Sequence, residues 1–272
     1  MAYSQELNVA LKAARKASKK ILEYYYKGFN VKYKEDKSEV TSADLASEKI
    51  IKETLTKAFP DYGILSEESA DDKNRLEKDY CWIVDPLDGT RDFVSKTGNF
   101  SINIALSYKN EIVLGIIAIP SKDIIYYATK GEGAYKIENG IEEKIHVSNR
   151  KSEIKMAISQ FFFRDIDKYN QDLNIIELIP MGSSYKAGLI AEGKAELCIK
   201  DDWHTKEWDT APSEIIIKEA GGIMGNAYGE KMSYNKDDVI NHDGFIIANC
   251  LEVANQYKNW YISHRIIIAH SL

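Results

Sequence analysis

Residues 80–93 read YCWIVDPLDGTRDF. An apolar run with the look of a buried strand ends in Asp85, a second acid follows at Asp88, and Gly89-Thr90 comes next. Pro86 lacks an N–H and fixes φ, so it stiffens the exit from the strand. Leu87 can turn its carbonyl to the same side as the two carboxylates, and Gly89 lets the backbone approach a ligand closely. Thr90 and the amides after it would open a helix, a natural phosphate site. Two carboxylates, a carbonyl and a helix N-terminus suit a hard divalent cation, Mg²⁺ above all, bridged to a phosphate. A plainer reading is also open: Asp88 caps the helix and Asp85 bonds nearby amides.

On the N-terminal side, Leu7, Leu11, Ala14, Ala17, Ile21 and Leu22 fall at helical spacing over residues 5–26. A second helix opens at Thr41 or Ser42 and carries Leu45, Ile50, Ile51, Leu55 and Phe59 before Pro60 stops it. On the C-terminal side, SINIALSY puts Ile102, Ile104 and Leu106 on one face of a strand. EIVLGIIAI follows a short turn at Lys109-Asn110, and IIYYAT and GAYKI continue the meander. The first half is therefore α+β, two helices followed by an antiparallel sheet. The polar stretch IHVSNRKSE at 145–153 marks a boundary between a metal-binding subdomain, residues 1–150, and a second subdomain, residues 151–272. In that second half, strands at KMAISQ, AELCI and GFIIAN alternate with helices at SYKAGLIAEG and DTAPSEIIIKEAGG, an α/β pattern. A last amphipathic helix is expected at roughly 250–265.

The 272 residues suffice for one large domain or two packed subdomains. With 44% hydrophobic and 29% charged residues, the composition is that of a soluble globular protein. A net charge of −6 with interspersed signs argues against a nucleic-acid polymer as partner and fits a small molecule. Cys81, Cys198 and Cys250 make neither a disulfide framework nor a zinc pattern, so a cytoplasmic location is expected. The longest apolar run, 112–119, is too short to span a bilayer.

Three further acidic sites bear on Asp85 and Asp88. LSEES places Glu67 and Glu68 before the strand; paired acids are commonly solvated surface. Asp44 lies three residues after Thr41, the spacing of a capping box. Asp209 opens an apolar helix and could likewise cap it, with Pro212 accommodated in the first turn. If Glu67, Asp85, Asp88 and Asp209 met without a cation, one pair at about 4 Å would cost about 4 kcal/mol at an effective dielectric of 20. Convergence of these acids would therefore call for metal.

WIVDPLDGTRDF, LSEES and EWDTAPSEIIIKEAGG together resemble the signature blocks of the inositol monophosphatase superfamily, Mg²⁺-dependent and lithium-sensitive phosphatases of small phosphomonoesters. The resemblance runs from about Asp44 to Gly222 and implies the layered α-β-α-β-α sugar-phosphatase fold. It implies two or three Mg²⁺ held by Glu67, Asp85, the Leu87 carbonyl, Asp88 and Asp209, with Glu68 outside the ligand set. Asp44 and Thr90, with Glu67, match the residues behind a metal-activated water, and Asp88, Gly89, Thr90 and Asp209 line the substrate. MGSSYKAGLIAEGKAEL (181–197) is most similar to the CysQ branch, which removes the 3′-phosphate of 3′-phosphoadenosine 5′-phosphate. Lys186 then becomes a candidate for the nucleotide's second phosphate, and Gly182, Ser183 and Ser184 for its sugar side. Inositol-1-phosphate and fructose-1,6-bisphosphate compete as substrates, and a homodimer is common among such proteins.

The segment 199–209 departs from many relatives, and only Asp202 could replace the acid that recognises an inositol hydroxyl. Rivals from other classes fit less well. A covalent aspartyl-phosphate enzyme needs acids separated by one residue, and an EF-hand would place Leu87, Gly89 and Lys96 where it needs acids. A non-catalytic metal-binding paralogue would show a missing ligand, and none is missing. The five histidines lack metal-ligand spacing, and Phe161–Phe163 read as core.

Overall fold

A computed structural model of the chain describes residues 3–34, 39–71, 73–159, 174–200 and 205–259. Two helices, α1 (Ser4–Lys27) and α2 (Ser42–Ala58), lie on one face of a seven-stranded sheet. Its strands are β3 (Gly63–Ser66), β4 (Tyr80–Asp88), β5 (Ser101–Tyr108), β6 (Glu111–Ile119), β7 (Ile124–Thr129), β8 (Gly133–Glu138) and β9 (Ile141–Ile145), in that spatial order. β3 and β4 are parallel and every later pair is antiparallel. Between α1 and α2 a small antiparallel pair forms, β1 (Val31–Tyr33) and β2 (Glu39–Thr41).

The second sheet comprises β10 (Ile154–Ile158), β11 (Ile175–Pro180), β12 (Leu197–Lys200), β13 (Ile223–Gly225) and β14 (Phe245–Ala248). Their order is β11-β10-β12-β14-β13, with the β10 pairings parallel and the others antiparallel. Helices α4 (Tyr185–Ala191) and α5 (Glu207–Glu219) lie between the sheets, after the short α3 (Thr90–Val94). An outer helix, α6, spans residues 251–259, and Val253, Ala254 and Tyr257 bury it against the second sheet. The layers are thus α-β-α-β-α. The remainder of the helix expected to residue 265 lies outside the described residues, as do Phe161–Phe163, Asp202, His204, His264 and His270. Among the described residues no helix is long and apolar enough to cross a membrane.

Covering both faces of the first sheet explains why its central strands are apolar almost throughout. On β5, Ile102, Ile104 and Leu106 join the core under α1 and α2, and Ser101, Asn103 and Ala105, also buried, face the other layer. The alternation separates aliphatic from small and polar, not core from solvent. On α2 the expected apolar stripe is displaced: Leu45 is exposed, and the buried side carries Asp44, Ser47 and Glu48 beside Ile51 and Leu55. That side points at the end of β4, where Ser47 Oγ donates to the Pro86 carbonyl at 2.7 Å. α5 lies directly on β6, since a Cβ at Gly115 would come within 2.5 Å of Ile215 Cγ2 and 2.7 Å of the Pro212 carbonyl. This close seat brings the first turn of α5 to the end of β4.

Candidate metal centre

Asp85 and Asp88 differ by an odd number of residues, so a regular strand would point them to opposite faces. The β4–β5 ladder is irregular between them: Asp85 pairs with Asn103 and Asp88 with Ser101, three steps on β4 against two on β5. The extra residue is a bulge, which re-aims Asp88 to the face that carries Asp85. Pro86, with no N–H for the ladder, and Leu87, whose amide donates to Asp85 Oδ1 at 3.0 Å, form the bulged segment.

From the other side, α5 delivers Asp209. The helix starts at Glu207, so Asp209 lies in its first turn, where Oδ2 accepts from the Lys206 amide at 2.6 Å. Pro212 falls in the helix interior instead of the first turn. Its missing N–H would have served the Trp208 carbonyl, which Asn103 Nδ2 approaches at 3.3 Å. Glu207 anchors the helix start: its buried carboxylate accepts from the amides of Asn235 (2.6 Å) and Lys236 (2.9 Å).

One carboxylate oxygen each from Asp85, Asp88 and Asp209 lie within 4.8 Å of one another. Burial raises the Asp85 pKa well above its ordinary value, and repulsion from Glu67, Asp88 and Asp209 adds to the rise. Asp209 is pushed up to about 8 by burial and then by Asp88 and Glu67. Three mutually repelling carboxylates are a donor set that fits a hard dication.

Glu67 follows β3, and its amide donates to the Val84 carbonyl at 3.2 Å. Its carboxylate is engaged by Lys34, whose Nζ is 2.8 Å from Glu67 Oε1 and 2.7 Å from Glu68 Oε1. Glu68 is raised to about 7, by burial first and then by Glu67, with Lys34 opposing. Behind this pair Glu48 accepts from Ser66 and Ser69, each at 2.7 Å. Sequence spacing gave no sign of Lys34, because its contact joins the end of β1 to the segment after β3, two parts of the chain more than thirty residues apart.

Asp44 serves two neighbours. Oδ2 accepts from the Thr41 amide (2.8 Å) and hydroxyl (2.5 Å), completing a capping box, and Oδ1 is 3.2 Å from Thr90 Oγ1. Thr90 Oγ1 is also 3.2 Å from the Leu87 carbonyl. Burial raises the Asp44 pKa against the lowering effect of its Thr41 hydrogen bonds. Gly89 adopts left-handed φ of 83° ahead of α3. Gly182 abuts the same loop, because a Cβ there would meet the Asn99 carbonyl at 2.4 Å and Asp92 Oδ2 at 2.5 Å. Ser184 reaches Asp88 Oδ2 with both its amide and hydroxyl, each at 2.7 Å. Lys186 stands apart from the acids, with Nζ on the Ser183 carbonyl (2.7 Å) and the Met181 carbonyl (3.4 Å). His242 pairs with Asp238 and His146 is exposed, so neither joins the centre.

The raised acids set a sign for stability. A carboxylate whose folded pKa exceeds its unfolded value contributes full stability below about pH 4 and loses it as pH rises through the folded pKa. With Glu68 near 7 and Asp209 near 8, metal-free protein is expected to lose thermal stability between pH 5 and 8.5. Each kcal/mol lost lowers Tm by about 2–4 °C in a domain of this size. Excess Mg²⁺ should abolish the fall, and differential scanning fluorimetry in EDTA and in Mg²⁺ reads it. A metal-free Tm that rises across this window would contradict the picture.

Comparison with known proteins adds an independent line. The sequence pattern of the inositol monophosphatase family matches residues 2–265. The 3′(2′),5′-bisphosphate nucleotidase CysQ of Haemophilus influenzae is 32% identical over 93% of this chain and 94% of its own length. The CysQ of Salmonella typhimurium is 33% identical over 86% and 96%. Among solved structures, CysQ from Bacteroides thetaiotaomicron superposes with a TM-score of 0.77 at 33% identity, covering 91% of this chain and 98% of that one. An IMPase from Thermotoga maritima gives a TM-score of 0.80 at 28% identity over 95% and 99%.

Proposed function

The chain belongs to the inositol monophosphatase family of metal-dependent phosphatases, and on that premise we propose that it is a 3′(2′),5′-bisphosphate nucleotidase. Its substrate is 3′-phosphoadenosine 5′-phosphate or a close relative, and its products are the 5′-monophosphate and inorganic phosphate. The observation that carries the reading is the trio Asp85, Asp88 and Asp209 beside the Thr90–Asp44 pair. The choice of a nucleotide over an inositol phosphate rests on the CysQ relatives, similar along most of their length.

Asp85, Asp88 and Asp209, with Glu67 and the Leu87 carbonyl, would hold the dications, two or three Mg²⁺. A dication held there would supply polarisation of the phosphoryl oxygens, a lowered pKa for water and compensation of charge on the leaving group. The protein's own residues do the rest. Thr90 Oγ1 lies 3.2 Å from both Asp44 Oδ1 and the Leu87 carbonyl, and with its hydrogen given to the carboxylate it keeps a lone pair to orient an incoming water. Asp44, its proton affinity raised by burial, is suited to draw proton density through that hydroxyl. Water adds to phosphorus and gives up a proton toward Asp44, the P–O3′ bond breaks, and the ribose oxygen leaves as a hydroxyl after taking a proton from solvent water. Amides of Gly89 and Thr90 orient the phosphate. Ser183 and Gly182 border the sugar, and Lys186 leaves its two carbonyls for the 5′-phosphate, a reading supported by its position on the Ser183 and Met181 carbonyls beside that segment.

The direct test is phosphate release from 3′-phosphoadenosine 5′-phosphate, inositol-1-phosphate and fructose-1,6-bisphosphate at equal concentrations in Mg²⁺. The nucleotide is expected to give the highest kcat/KM, with lithium inhibiting. Preference for either of the other two would replace the nucleotidase assignment and leave the chemistry standing.

A further inference from the structure

Asp88 Oδ2 is within hydrogen-bond reach of four donors. They are the Ser184 amide and hydroxyl, both at 2.7 Å, the Ser101 hydroxyl at 3.2 Å and Asn103 Nδ2 at 3.2 Å. A carboxylate oxygen offers about two lone-pair sites, so Oδ2 is fully committed to protein donors. Oδ1 accepts no hydrogen bond among the described residues, and it is the oxygen left for a cation.

Asn103 stands at the centre of this arrangement and is wholly buried. Nδ2 reaches three acceptors: Asp88 Oδ2, Ser184 Oγ at 2.9 Å and the Trp208 carbonyl at 3.3 Å. Oδ1 accepts from Ser101 Oγ at 3.2 Å. The amide has one sensible orientation, because a flip would set its oxygen against a carboxylate and a carbonyl. The three acceptors belong to three segments: the end of β4, the start of α4 and the first turn of α5. The Trp208 carbonyl is available because Pro212 cannot donate to it, and the next residue is Asp209. A buried amide that served packing alone would need partners of any kind. All the donor capacity of Asn103 goes instead to Asp88, to the serine that holds Asp88, and to the peptide beside Asp209.

We propose that Asn103 is a positioning residue, which with Ser184 fixes Asp88 and the start of α5 at the separation a dication requires. The inference rests on the metal reading above and extends it to a residue that touches neither substrate nor cation. Removing Asn103 would leave Asp88 Oδ2 two short contacts from Ser184 but would free the first turn of α5 to drift.

Isothermal titration of Mn²⁺ into wild type, Asn103→Ala and Ser184→Ala tests this without turnover. The dissociation constant is expected to rise about tenfold in Asn103→Ala, the lower end for loss of a group that orients a ligand. The metal concentration for half-maximal phosphate release should rise by the same factor, with KM for the phosphorylated substrate at saturating metal within about twofold. A role confined to folding would lower Tm and leave the Mn²⁺ constant in place. Unchanged affinity in Asn103→Ala therefore overturns the proposal, whatever happens to Tm or kcat. If that variant does not fold, Ser184→Ala carries the decision, since it removes the hydroxyl donor from the same oxygen and an acceptor from Asn103 while keeping the Ser184 amide: weakened Mn²⁺ binding supports the proposal and unchanged binding overturns it. A wild-type chain that binds no Mn²⁺ overturns the metal reading and this inference together.

Discussion

Asp209→Asn is expected to lower kcat/KM by about three orders of magnitude and to make the metal-free protein more stable. The loss follows from removing one of three carboxylates that would hold the cation. If the variant forfeits about 4 kcal/mol of the several that a Lewis acid supplies, at about 1.36 kcal/mol per decade, the rate falls about a thousandfold. The gain in stability has the opposite cause. Asparagine keeps an oxygen for the Lys206 amide, which donates to Asp209 Oδ2, and removes a charge that Asp88 and Glu67 repel. One pair of charges 4.8 Å apart, the outer limit for these oxygens, costs about 3.5 kcal/mol at an effective dielectric of 20. The benefit grows as pH rises through about 8, where Asp209 loses its proton. Steady-state kinetics in Mg²⁺ and melting in EDTA at pH 8.5 read the two halves separately. Near-normal turnover, or a metal-free variant less stable than the parent, would show that these acids are structural caps.

Thr90→Val should lower kcat by a factor of about 10²–10⁴, the range for loss of positioned proton transfer, with KM and metal affinity little changed. Valine keeps the shape of threonine and removes only the hydroxyl that lies 3.2 Å from both Asp44 Oδ1 and the Leu87 carbonyl. Thr90→Ser, which restores the hydroxyl, should recover most of the rate. Asp44→Asn is a less clean probe, because Asp44 Oδ2 also closes the capping box of α2. Loss of a cap costs about 0.5–2 kcal/mol, so that variant should show a lower Tm beside its lower kcat. A Thr90→Val enzyme with full kcat would remove the Thr90–Asp44 pair from the mechanism.

The sequence left a cap or a place in the acidic centre as alternative readings of Asp44 and Asp209, and the structure gives both residues both positions. Asp44 caps α2 with one oxygen and meets Thr90 with the other; Asp209 caps α5 and faces Asp85 and Asp88. The layered fold was legible because long apolar-periodic segments, an eight-residue alternating strand and Gly-marked turns each point to one element type. Two features of the centre were hidden for physical reasons. Residues three apart on a strand face opposite ways, so only the bulge, which needs the partner strand to define it, explains how Asp85 and Asp88 share a side. Lys34 reaches Glu67 and Glu68 from more than thirty residues upstream, through a hairpin whose placement no local pattern encodes. Asn103 did leave a trace. It is the amide in SINIALSY, on the face where a fully buried strand would otherwise carry only small residues. Pro212 left another, as a proline inside a helix whose lost hydrogen bond had to be answered from elsewhere.

On the proposed reading, the carboxylates gathered by β4 and α5 hold the cation on which hydrolysis of a 3′-phosphate depends. Phosphate release from 3′-phosphoadenosine 5′-phosphate, followed before EDTA, after EDTA and after return of Mg²⁺, measures that dependence in one series. Turnover should stop in EDTA and return in full with Mg²⁺. Hydrolysis that continues in EDTA at the original rate would contradict it.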